Sequence, residues 1–134
     1  MTVDTNTPDT FGNPSFVSHE TMTTIDVLRG APPAKELGDK PAVQRVLQGD
    51  GANIILFTFT PGQLLKDHKA AHPITVQCVK GKLNFGCEDK IVELTPKTVL
   101  HLPAYVVHRV ECPEDAEAEN ILLLTMLTGE KVSD

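Results

Sequence analysis

The sequence predicts an all-β domain, a sandwich or barrel of short strands that starts just after Pro41. Three observations carry this expectation. Short runs rich in Val, Ile, Leu, Phe and Thr recur from residue 42 onward. Each run is closed by a turn signal built on Gly, Pro or Asp. No stretch after Pro41 shows the 3.6-residue apolar period of a helix.

The first run is 42–48 (AVQRVLQ), stopped by Gly49-Asp50-Gly51, and the second is 53–60 (NIILFTFT), stopped by Pro61-Gly62. Next come 74–79, closed by Lys80-Gly81, and 83–85, turned by residues 86–89. Run 91–94 leads into Thr95-Pro96-Lys97, and 99–102 stops at Pro103. Run 108–111 precedes the acidic loop PEDAEAE, and 120–127 is the last. Regularly spaced short strands with tight turns are the mark of a sandwich or barrel.

The N-terminal part reads differently. Residues 1–24 are rich in Thr, Asp, Asn, Ser and Pro, which marks a flexible, poorly structured arm. Phe11, Phe16 and Val17 are the residues able to tie it down. Residues 25–42 form a Pro/Gly-rich lead-in, where Pro32, Pro33, Gly38 and Pro41 forbid a long helix.

Composition excludes several function classes. The chain has 134 residues, which suits one domain with its own core. Its formal charge of −6 argues against nucleic acid, whose phosphates need clustered Lys and Arg. The same charge argues against an anionic membrane surface, and no apolar run reaches the ~18 residues of a membrane span. The first residues lack the basic-then-apolar pattern of a secretory signal. Three cysteines, Cys78, Cys87 and Cys112, make an odd set with no C-x-x-C. Free thiols in a reducing cytoplasm are the simplest setting.

Two segments carry a family likeness. Segment 62–85 reads GQLLKDHKAAHPITVQCVKGKLNF, and 93–112 reads ELTPKTVLHLPAYVVHRVEC. Gly62, His68 and Gly81 fall where the first cupin motif has its opening Gly, first His and closing Gly. Pro103 and His108 fall where the second motif has its Pro and His. The chain therefore resembles a small single-domain cupin of the RmlC-like superfamily. The likeness implies a single double-stranded β-helix, a jelly-roll-like barrel, over residues 43–134. It also implies a homodimer, with the segment 1–40 long enough to lend a strand to the partner.

The motifs are degenerate. Ala70 stands in place of the second His and Ile74 in place of the Glu, while Lys97, Tyr105 and Cys112 replace two Gly and an Asn. Members of the superfamily typically hold one divalent metal with three His and the Glu. Only His68 and His108 survive here. His72 is the substitute nearest to hand. His68 and His72 are four residues apart, ~13 Å along a straight strand. Metal–nitrogen bonds of ~2.0–2.1 Å leave little slack at that span, so His72 joins only where the chain bends near Pro73. The candidate metal set is thus His68, His72 and His108, for Fe, Mn, Ni or Zn. Gln77 and His101 are candidate pocket residues. Gln77 has the opposite parity to His68 and reaches the pocket only if a bulge resets the register. The bland readings are a polar remnant for His68 and His108, a loop residue for His72 and a satisfied strand histidine for His101. His19 belongs to the arm.

Two functions follow as expectations. One is a metal-dependent enzyme acting on a small organic molecule, in which His68, His108 and His72 hold the ion. Its weakness is the lack of an acidic ligand, Glu93 and Glu111 being the nearest carboxylates. The other is a non-catalytic module that binds a small ligand in a pocket made more apolar by Ala70, Ile74 and Val76.

Overall fold

The computed structural model describes residues 3–18 and 21–129. His19 lies outside the described residues. In chain order the strands are β1 (Asp4–Asn6), β2 (Phe16–Val17), β3 (Ala42–Gly49), β4 (Ala52–Phe59), β5 (Leu64–Ala70) and β6 (Ile74–Lys80). They continue with β7 (Leu83–Cys87), β8 (Lys90–Leu94), β9 (Val99–Leu102), β10 (His108–Glu111) and β11 (Asn120–Met126). A 3₁₀ turn, Pro8–Phe11, and one helical turn, α1 (Val27–Gly30), complete the elements.

The strands form two facing sheets. One has the order β1-β5-β10-β7-β8 and the other β2-β3-β4-β11-β6-β9. All pairings are antiparallel except β1 with β5 and β2 with β3, which are parallel. This is a double-stranded β-helix of jelly-roll type, and its hydrogen bonding does not run continuously around a closed barrel.

Alternation builds the core. In β6, Ile74, Val76 and Cys78 point inward while Thr75, Gln77 and Val79 are only half-buried. Ile55, Phe57 and Phe59 of β4 and Leu122, Leu124 and Met126 of β11 line the same interior. Ala70, Leu83, Phe85, Leu94 and Val110 meet them from the other sheet. A second, smaller cluster lies on the outer face of the six-stranded sheet. There Val46, Leu56 and Ile121 are covered by Ile25, Val27 and Ala31 of the lead-in. The lead-in breakers leave room for α1 alone, whose N-cap is Asp26 accepting from the Arg29 amide at 3.1 Å.

The N-terminal segment is poor in regular structure but not bare of it. β1 caps the edge of one sheet and β2 the edge of the other. Phe11 is the apolar anchor, meeting Phe57 edge-on at 5.7 Å between ring centroids. Arg45 is the polar one. It is buried, donates twice to Asn53 Oδ1 (3.1 and 2.7 Å), and reaches Asp9 Oδ1 at 3.2 Å and the Gly12 carbonyl at 3.1 Å. A bulge makes this possible, because Arg45 and Leu47 face consecutive β4 residues and Val46 is the extra one. Phe16 and Val17, by contrast, stay exposed.

β5 is not among the eight strands that the run-and-turn pattern predicts. Its sequence, LLKDHKA, is rich in charged residues and carries a His where strands favour β-branched ones. It is a strand because β1 and β10 pair with its two edges.

Candidate functional site

Two strands of the five-stranded sheet create the site. His68 on β5 and His108 on β10 are direct cross-strand partners. Beyond them the register slips, since Val110 faces Leu65 and β5 spends one more residue than β10 on the interval. That bulge sits just before His68 and fixes which way the imidazole points. The two rings lie 4.2 Å apart between centroids at an interplanar angle of 65°. Phe85 of β7 stacks on the other side of His108, at 5.1 Å and 13°.

Each ring is held by its own backbone. His68 Nδ1 is 2.7 Å from the Lys66 carbonyl, and His108 Nδ1 is 2.9 Å from the Val106 carbonyl. A carbonyl oxygen only accepts, so each Nδ1 carries the hydrogen and donates. Nε2 is then the lone-pair nitrogen of both rings. Burial, together with the neighbouring His68, pushes His108 down to about 4. His68 is also lowered by burial, against the opposing pull of the Lys66 carbonyl, Asp67 and Asp4. Both imidazoles are therefore neutral at pH 7.

The pair forms part of the wall of a cavity of about 270 Å³ between the sheets. Phe57, Leu124 and Met126 supply the opposite wall, and Ala70 sits beside the pair. Asp4, Asn6 and Phe11 close the cavity from the N-terminal segment, and Asp39 and Lys40 from the lead-in. Nothing in the sequence around these residues marks them as site residues except Phe11, a lone large apolar residue in a polar stretch.

The expected three-histidine set is not assembled. β5 ends at Ala70, the chain bends at residues 71–72, and β6 begins in the other sheet at Ile74. His72 lies on that crossover, half-buried, away from the cavity wall. Gln77 and His101 do not line the cavity either. Gln77 keeps the outward parity of an unbent β6, and His101 faces outward on β9 opposite Thr75. The bulge that exists lies upstream of His68, so it does not bring Gln77 inward. Glu93 and Glu111 are exposed. Cys78 and Cys112 are buried thiols, each pushed up to about 11 mainly by burial, which suits packing rather than ligation.

The donor set can be tested against a metal directly. Two neutral imidazoles with backbone-anchored Nδ1 atoms are good ligands one by one. Two are fewer than the three protein ligands of a catalytic zinc site. Among the described residues no group of three or more His, Cys, Asp and Glu side chains is placed to hold an ion. The residues do not fit a metal held by the protein alone. What the pair can do is accept hydrogen bonds and, as a weak base, take a proton.

No protein-family model matches the sequence, and none of the curated proteins matches it. Solved structures do. An uncharacterised conserved protein with a double-stranded β-helix domain from Klebsiella pneumoniae aligns with a TM-score of 0.68 at 15% identity, covering 84% of this chain and 95% of its own. An RmlC-like cupin from Desulfovibrio desulfuricans aligns at 0.65 and 19%, covering 79% and 97%. The TT1209 protein from Thermus thermophilus aligns at 0.64 and 23%, covering 79% and 98%. No helix among the described residues is long and apolar enough to cross a membrane. The degenerate motifs, the two facing sheets and these likenesses converge on one statement: the chain has the double-stranded β-helix fold of the small cupins.

Proposed function

We propose that the protein binds a small organic molecule in the inter-sheet cavity, with His68 and His108 as its polar end. One observation carries this reading. Two neutral imidazoles stand in contact on the wall of a cavity whose opposite wall is Phe57, Leu124 and Met126. An apolar pocket with a few convergent polar groups is the usual form of a small-molecule site. The ligand meets the imidazoles directly, since two nitrogens alone do not make a resident metal site.

The test is metal content and ligand binding on untagged protein. After supply of Fe, Mn, Ni and Zn and dialysis, occupancy well below one ion per chain is expected. Stoichiometric metal, lost in a His68→Ala/His108→Ala variant, would overturn the direct reading and establish a metal-dependent one.

The same reading takes the protein as a cytoplasmic homodimer. It is supported by three free cysteines and by the open edges of β8 and β9. A monomer mass in sedimentation at micromolar concentration would refute the dimer.

A further inference from the structure

The ring geometry says more about the ligand than its size. Each Nδ1 is already used as a donor to a carbonyl. Among the described residues neither Nε2 has a protein hydrogen-bond partner, and no fully buried side-chain nitrogen is left without one. Both Nε2 atoms therefore remain open, and the space their rings line is the cavity. The pair offers a ligand two acceptors and no donor.

The surrounding charge points the same way. Asp4 faces His68 in the β1–β5 register. Asp67 acts electrostatically on both rings. Asp4, Asp39 and Asp67 line the cavity against Lys40 and Lys66, so its wall carries more carboxylates than ammonium groups. An anionic head placed here would meet two lone pairs and a net negative rim. The remaining volume suits one six-membered ring, since an engineered apolar cavity of about 150 Å³ already takes benzene.

Building on the cavity's role as a ligand site, we infer that its ligand presents hydrogen-bond donors, as an alcohol or a protonated amine or amidine, to the two Nε2 atoms. A compact apolar body then rests on Phe57, Leu124 and Met126. Carboxylates and phosphates are disfavoured by the same arrangement.

Three probes of one shape separate the possibilities: benzyl alcohol, benzamidine and benzoate. Each is titrated into the full chain at pH 7.5, and the His68 and His108 ring signals are followed by long-range ¹H–¹⁵N correlation. Benzamidine and benzyl alcohol are expected to shift both rings and saturate, with benzoate at least tenfold weaker. Asp67→Asn, on the cavity wall, is expected to weaken benzamidine several-fold more than it weakens benzyl alcohol, and equal weakening of the two would overturn the role given to the carboxylates. Benzoate binding as tightly as benzamidine, with the same ring shifts, overturns the donor assignment and leaves the cavity reading standing. If no probe saturates and neither ring responds, the cavity reading itself falls.

Discussion

In the six-stranded sheet, β4 and β11 face each other over seven residue pairs without a break. In the five-stranded sheet, β5 and β10 meet at His68 and His108 and slip by one residue before Leu65 and Val110. The first sheet presents Phe57, Phe59, Leu122 and Leu124 to the interior. The second presents an imidazole pair, and its edge is a strand of three residues from the N-terminal segment. The unbroken β4–β11 ladder gives an apolar wall, although β3–β4 and β6–β11 in the same sheet each slip by one residue. Irregular pairing of a polar strand gives aimed side chains. One sheet supplies the apolar wall against which the other sets its two histidines.

The sharpest way to break this contrast is a cavity in the apolar wall. Phe59 is fully buried, so Phe59→Ala is expected to cost about 3–5 kcal/mol in urea unfolding. A value near zero would mean that the six-stranded sheet is not the scaffold.

The second test uses protons. His108 is 2% exposed and pushed down from its usual 6.5 to about 4. The unfolded chain takes that proton near 6.5 and the folded chain resists it. Its contribution is therefore intact above pH 6.5, lost as pH falls toward 4, and constant below. The shift corresponds to about 3 kcal/mol, with His68 acting in the same direction. Denaturation at pH 7 and pH 4.5 should show the loss, and His108→Leu should flatten it. An unchanged slope in that variant would place the acid sensitivity elsewhere.

A smaller effect of opposite sign is expected at Tyr105. It is 60% exposed and has φ of 66°, a left-handed conformation that suits glycine. Its amide donates to the Ala70 carbonyl at 2.8 Å, tying the loop before His108 to the end of β5. Tyr105→Gly keeps that bond and relieves the strain, so the melting temperature should rise, by the equivalent of up to about 1 kcal/mol. A fall would show that the tyrosine ring contributes contacts that outweigh its backbone.

The smallest effect is expected at Asp9. Its side chain is 95% exposed, although it pairs with the buried Arg45. Asp9→Asn should change stability by no more than about 1 kcal/mol, because exposed partners are screened. A larger loss would make the N-terminal segment part of the scaffold and not an addition to it.

Much of the fold was legible because each run from 42 onward combines β-formers with a turn residue that ends it. Gly81 shows how local that information can be: it ends β6 at φ +78°, and any side chain there would run into the buried Asn120. β5 was illegible for the opposite reason. Its strand character comes from neighbours about sixty residues away in one direction and forty in the other, and its own residues argue weakly for it. The site was half legible. The motif likeness pointed to His68 and His108, but parity along one strand could not show that residues 71–73 leave the sheet, and with them His72. Nothing local marks Asp4 or Asn6 as cavity residues, because their place is decided by a parallel pairing with β5.

That pairing has a consequence for how the molecule is made. Asp4 and Asn6, at one end of the described chain, and Leu124 and Met126, near the other, bound the same cavity. β4 pairs with β11, and β1 with β5, so the contacts that build the cavity are of high sequence separation, the kind that slows folding. During synthesis the N-terminal segment emerges first and finds its partner strand only after some sixty further residues. The cavity is bounded only when β1 and β11 are both paired, and deleting either strand would remove a wall from it.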